Sequence, residues 1–200
     1  LHQTMVVKGA PTFYRSDFAT PGKNLTWAVT GVTISPAAAV VAPNKGDQFP
    51  RSIMDYRGVT TCVWQRNGDT MSSRSHDDGA TWEGAIMAIP GGTYPSIAVG
   101  IDGTVIEAAL VANADQVGSP GGVIKMRCQS PGAVAYGALY TAQYYSSGLL
   151  PIPVAVDSFH LQQGYESASR WVLHCRVQGE TGTADYFSSD LDASSWSRLT

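Results

Sequence analysis

One eight-residue run, Ser75-His76-Asp77-Asp78-Gly79-Ala80-Thr81-Trp82, constrains the fold of this chain more than any other segment. A tight turn leaves backbone amides pointing inward, and an Asp at the third position accepts from them as an Asx-type cap. Gly79 takes positive φ at no steric cost. The hydroxyls of Ser75 and Thr81 tie the edges of the turn, and Trp82 supplies an indole to bury beneath it. The pattern Ser-x-Asp-x-Gly-x-Thr-Trp therefore predicts a corner between two strands whose shape is set by its own side chains.

The run has degenerate siblings. Arg74-Ser75-His76-Asp77-Asp78-Gly79-Ala80 aligns without a gap on Arg127-Cys128-Gln129-Ser130-Pro131-Gly132-Ala133, and a weaker copy spans Ser188 to Trp196. The turn positions Gly79, Gly132 and Ala193 are spaced by 53 and 61 residues. A second series runs beside it: Phe49-Pro50-Arg51-Ser52-Ile53 reaches a turn at Arg57-Gly58, and Tyr94-Pro95-Ser96-Ile97 reaches one at Asp102-Gly103. Each turn is followed by an apolar strand-like run, Val59 to Trp64 and Thr104 to Val111, with a third at Arg170 to Val177. Periods near ~50 residues with several strands each are the signature of propeller blades.

Helical periodicity is nearly absent, and short alternating runs broken by Gly, Pro, Asp and Ser predict an all-β chain. The balance of 44% apolar and 14% charged residues suits a packed domain. Leu25 to Ile34 reads as a strand and Ser35 to Gln48 as a connector. Residues 1–45 are thus expected to form an N-terminal arm or small β element. Residues 46–200 are expected to form about three four-stranded units, near 46–90, 91–150 and 151–200. A net charge of −3 without a basic run speaks against nucleic acid, and no apolar stretch reaches the length of a membrane span, so no membrane insertion is expected. The three cysteines, Cys62, Cys128 and Cys175, form no Cys-x-x-Cys pair, and the histidines His2, His76, His160 and His174 are scattered. No metal and no cofactor are expected. Cys62 and Cys175 read as small buried hydrophobes, with a bridge between them as the alternative.

On Ser75, Asp77, Gly79, Thr81 and Trp82, and on the segment Phe49 to Pro90, the chain resembles the BNR/Asp-box superfamily of sialidase-like β-propellers. The resemblance implies that the Asp-box joins the third and fourth strands of a blade, away from the catalytic face. It also implies a test for catalysis, because sialidases hold a carboxylate with three arginines and use a tyrosine nucleophile beside a glutamate. Arg51 and Arg170 are candidates for the arginines, and Tyr165-Glu166 for the nucleophile pair. The order Phe49-Pro50-Arg51-Ser52-Ile53 departs from the Phe-Arg-Ile-Pro of sialidases. Tyr165 and Glu166, adjacent in a regular strand, would point to opposite faces. Room for about three units falls short of a closed ring, so the propeller is expected to be incomplete or completed by oligomerisation.

Tyr144 and Tyr145, with Tyr136 and Tyr140, form a cluster able to stack sugars or to pack a blade, and Arg51 is a further ligand candidate. The expected function is a non-catalytic glycan-recognition or assembly module, as in a phage tail, virion or surface adhesin. Its expected partners are a glycan or surface polysaccharide and further copies of the chain, in an extracellular or virion-associated setting. Two alternatives stand beside it: a sialidase-type exo-glycosidase fragment or subunit, and a purely structural particle protein.

Overall fold

A computed structural model describes residues 2–17, 26–27, 31–36, 47–112, 122–133, 135–145, 151–153, 155–166, 169–177, 181–188 and 195–198. Strands and turns account for all regular structure among them, and none is helical. The first unit comprises β1 (His2–Val7), β2 (Ala10–Asp17), β3 (Thr26–Trp27) and β4 (Val32–Thr33), with β1, β3 and β4 all pairing with β2. Within Leu25 to Ile34, expected as one strand, the described residues form β3 and β4, both on β2. The second unit is β5 (Asp47–Met54), β6 (Thr60–Arg66), β7 (Asp69–Ser75) and β8 (Ile86–Ile89), paired in chain order. The third is β9 (Gly92–Val99), β10 (Val105–Ala112), β11 (Gly122–Gln129) and β12 (Tyr140–Thr141). After β13 (Gln143–Tyr145) and β14 (Pro151–Pro153) comes the fourth, β15 (Ala155–Glu166), β16 (Ser169–Val177), β17 (Ala184–Ser188) and β18 (Ser195–Arg198). Strand β13 pairs with the last of these in parallel, and β11 touches β15 through only two residue pairs.

The units stack side by side, as blades do. Strand β5 lies against β1, β9 against β5, and β15 against β9, while β9 also covers β6 and β7. Apolar faces meet at each junction. Phe13, Ile34, Cys62 and Trp64 fill the space between the first and second units, with Trp82 partly buried against them. Val63, Ile97 and Val105 pack between the second and third. Ile106, Ile124, Met126, Leu161, Trp171 and Tyr186 belong to the largest cluster, shared by the third and fourth. Each such side chain contributes roughly 1.5–3 kcal/mol on burial. All three cysteines are free, with Cys62 and Cys175 buried, so the alternative of a bridge between them is not realised.

The repeats seen in the sequence recur as repeated geometry. Gly79 and Gly132 have φ of 83° and 75°, and the bonds Ala80 N to Asp77 O and Ala133 N to Ser130 O occupy the same register. Gly58 and Gly103 have φ of 82° and 85° in the turns that end β5 and β9. Within the Ser75–Trp82 turn, which joins β7 to β8, Ser75 Oγ accepts from Gly79 N at 2.8 Å. Asp77 accepts from both the amide and the hydroxyl of Thr81, at 2.8 and 2.6 Å. Trp82 Nε1 donates to Gly79 O at 3.2 Å, and its ring meets Phe13 edge-on at 5.4 Å. Arg15 closes the contact with a 2.6 Å ion pair to Asp78.

The first unit carries blade features of its own. Lys8-Gly9 and Asn67-Gly68 are two-residue turns with positive φ at both positions, joining β1 to β2 and β6 to β7. Strand β1 thus matches the second strand of a unit and β2 the third. In the sequence, Ser16-Asp17, Gly22 and Thr26-Trp27 repeat the residue types of the Ser75–Trp82 turn at wider spacing.

Candidate functional site

The clearest surface anomaly lies where the first strands of the second and third units begin. Pro50 and Pro95 lack the N–H that a ladder needs, and pairing is interrupted at both. The β5–β6 register shifts between Gln48 and Arg51, and the β9–β10 register shifts between Thr93 and Ser96. The residue before each proline, Phe49 or Tyr94, sits at φ of 52° or 51°. For a bulky side chain that conformation is an outlier costing about 1–2 kcal/mol. The result is two aromatics turned outward, 46% and 58% exposed, with ring centroids 5.0 Å apart and planes inclined by 39°. Tyr94 N donates to Gln65 Oε1 at 3.1 Å, which fixes the second bulge against β6.

Arg51 follows on the same strand as Phe49 and is exposed. Its charge reaches His160 of β15, across the group of first strands. Partial desolvation of that ring, with Arg51 and His174 nearby, holds the His160 pKa below its ordinary value. The carboxylates at this end of the second unit are engaged in structure. Asp47 forms a two-pronged pair with Arg66 at 2.7 Å, and Asp69 Oδ1 accepts from Gly91 N at 2.7 Å.

A second cluster lies between the faces of the second and third units. Glu107 of β10, fully buried, accepts from Ser72 Oγ at 2.5 Å, and Ser72 Oγ lies 2.8 Å from the Tyr136 hydroxyl. Burial pushes the Glu107 pKa up to about 7, against the opposing pull of the bonds from Ser72 and Tyr136 and of Arg127 and Arg74. Burial and the nearby Glu107 likewise raise the Tyr136 phenol well above its ordinary value. The guanidinium carbons of Arg74 and Arg127 stand 5.2 and 5.9 Å from the Tyr136 ring centroid. The sequence signals were a lone acid inside the apolar run Thr104 to Val111 and two arginines one repeat apart.

The remaining sequence candidates fall elsewhere. Tyr165 and Glu166 end β15, beyond a register shift between Gln163 and Glu166; Arg170 stands near the start of β16. Tyr144 and Tyr145 lie on β13 opposite Ile152 and Pro151. The side chains of these five residues lie outside the described residues. Tyr140 packs against the large core cluster. His76 lies 2.9 Å from Glu83 and His174 2.6 Å from Asp185. Among the described residues no group of three metal-ligating side chains converges.

Neither the protein-family models nor the curated proteins match this sequence. Solved structures do share its fold. A protein of unknown function from Dyadobacter fermentans superposes with a TM-score of 0.55 at 15% identity, covering 98% of this chain and 68% of its own. An α-L-arabinanase from Penicillium chrysogenum, solved with arabinobiose, superposes with a TM-score of 0.57 at 13% identity, covering 99% of this chain and 58% of its own. The chain thus spans about three fifths of that enzyme. An intramolecular trans-sialidase from Ruminococcus gnavus gives a TM-score of 0.49 at 9% identity, over 94% of this chain and 39% of its own, too distant to carry an argument. Together with the four stacked units, the likeness places the chain in the all-β, propeller-bladed class of folds.

Proposed function

We propose that this chain is a non-catalytic glycan-recognition module, with Phe49 and Tyr94 as the platform on which a sugar ring stacks. The observation that carries the reading is the exposed pair itself, held on strained backbone at equivalent bulges of two adjacent units. Strain retained at a surface position that contributes nothing to the core points to use. Aromatic faces suit the C–H faces of sugars, and Arg51 and Gln65 beside them supply polar contacts to hydroxyls. The engagement of Asp47 and Asp69 in structural bonds favours binding over hydrolysis. The Ser75–Trp82 turn is read as an Asp-box that holds the third and fourth strands of a blade together. Further copies of the chain, or more blades, would complete a ring, and a repeated array on a virion, phage tail or cell surface would multiply weak single-site affinity.

The second reading, a glycosidase fragment, draws on the fold shared with an arabinanase. A glycan array probed with the chain and with Phe49→Ala and Tyr94→Ala separates the two, alongside release assays on fluorogenic sialosides and arabinosides. Binding without release, lost in the aromatic variants, supports recognition. Release abolished by Arg51→Ala sinks it in favour of the enzyme. A chain that binds no glycan and releases nothing leaves the purely structural role.

A further inference from the structure

Phe49 and Tyr94 stand near the starts of β5 and β9, and the far ends of the same strands border a polar cleft. The turns at 55–58 and 100–103, which follow β5 and β9, meet there with the corners at 75–82 and 130–133, which follow β7 and β11. The cleft has a volume of about 220 Å³, and Arg57, Arg74, His76, Glu83, Gln129 and Gly132 are among its walls. That is smaller than a pocket for a drug-sized ligand and suits a group of a few heavy atoms. Its charges are presented unevenly. The Asp55 side chain is 1% exposed and its oxygens are occupied. Oδ1 accepts from the amides of Arg57 and Val59 at 2.9 and 3.0 Å, and Oδ2 from Arg57 Nε and Nη2 at 2.9 and 2.6 Å. The Arg57 side chain, by contrast, is 32% exposed. Its Nη1 stands 3.4 Å from where a Cβ on Gly132 would lie, and among the described residues it has no hydrogen-bond partner.

A second cation reaches the same corner, since Arg74 donates from Nη1 to Ala133 O at 3.3 Å. Two guanidinium groups thus approach adjacent residues, Gly132 and Ala133, while each is held by a carboxylate at its Nε edge: Arg57 by Asp55 and Arg74 by Glu83, the latter at 2.9 Å. The other oxygen of Glu83 lies 2.9 Å from His76 Nε2, so both of its oxygens are engaged. Converging like charges repel, and an anion set between them turns that cost into attraction. We infer that this cleft binds a tetrahedral oxyanion, a sulfate or phosphate group, at the end of the units opposite the Phe49–Tyr94 platform. Arg57 Nη1 is the open donor, Arg74 and His76 flank it, and Gly132 leaves the room that a side chain would fill. Such a group carries several strong acceptor oxygens pointing in different directions, which suits donors arriving from separate elements. A free ion and an ester on a sugar present the same oxygens to these donors.

The full chain is titrated by NMR or calorimetry with sodium sulfate, sodium phosphate and galactose 6-sulfate, against acetate and galactose at matched ionic strength. The sulfate and phosphate ligands are expected to bind about tenfold more tightly than acetate or galactose. Arg57→Gln should weaken sulfate binding about tenfold. Because that change also takes a partner from the buried Asp55, a second variant leaves the pair intact. Gly132→Asp sets a carboxylate beside Arg57 Nη1 and should weaken sulfate binding by at least as much, with circular dichroism confirming the sheet. Galactose 6-sulfate binding more tightly than inorganic sulfate upholds the site and assigns it an esterified sugar; equal affinities uphold it and assign the free ion. Equal affinity for sulfate and acetate, no binding of either tetrahedral ion, or sulfate binding untouched in Gly132→Asp would each overturn the assignment. Phe49→Ala should leave sulfate binding unchanged, so failure of the platform and failure of this site show separately.

Discussion

Phe49 and Tyr94, one repeat apart in the sequence, face each other across two neighbouring units at 5.0 Å with nearly identical φ, 52° and 51°. Their conformation and their surface role are separable by substitution. Tyr94→Asn places a residue that tolerates positive φ, whereas Tyr94→Val places one that does not. Urea denaturation should find the valine variant less stable than the asparagine variant by about 1–2 kcal/mol, with both deficient in glycan binding. Equal stabilities would show that the left-handed torsion is not held in solution.

Gly79 and Gly58 share a positive φ but not a neighbourhood. A Cβ at Gly79 would fall 2.1 Å from the Phe13 ring, which is buried and packed against Trp82, whereas a Cβ at Gly58 meets nothing. Gly58→Ala should cost about 1 kcal/mol for the torsion alone, and Gly79→Ala clearly more. Equal losses in denaturant midpoint would mean that the first unit does not dock on the Ser75–Trp82 turn.

Asp77 sets an acid limit. The Thr81 hydroxyl, the Thr81 amide and Ser75 lower its pKa to about 2, from 3.8. A depressed folded pKa contributes stability that is present above the unfolded value and lost as pH falls through the folded one. Melting curves of the parent chain and Asp77→Asn should therefore converge between pH 4 and pH 2. A difference that stays constant across that window would separate the carboxylate from the turn.

Glu107 acts in the opposite direction. Burial first raises its pKa, from 4.5 to about 7. The folded state then holds a proton that the unfolded chain has released, so stability falls as pH rises from about 4.5 through 7 and stays lowered above it. Glu107→Gln should gain stability relative to the parent at pH 8 and lose that advantage at pH 4. Parallel pH profiles for the two chains would show that Glu107 is not buried as the structure places it.

The turn from Ser75 to Trp82 was legible because its bonds are local: each acceptor lies within four residues of its donor. The units around it were legible through aromatic-proline and turn glycines at fixed intervals. What lay hidden depends on contacts between units. Pro50 and Pro95 announce a broken ladder, but only stacking of the units brings Phe49 to Tyr94. Arg74 and Arg127 align in the repeat, yet their meeting on Tyr136 needs the third unit's return segment to pack against β7. The blade character of the first unit is harder to read because Ser16-Asp17 and Thr26-Trp27 stand further apart in the sequence than the matching residues of the Ser75–Trp82 turn.

The central claim is recognition of glycans at the Phe49–Tyr94 platform. Its most direct test is calorimetric titration of the intact chain, and of a Phe49→Ala/Tyr94→Ala double variant, with the best ligand from a glycan array. Saturable binding by the parent, a loss of about tenfold or more in the variant and intact glycan recovered afterwards is the predicted result. Undiminished binding by the double variant, or cleaved glycan after incubation with the parent, would contradict it.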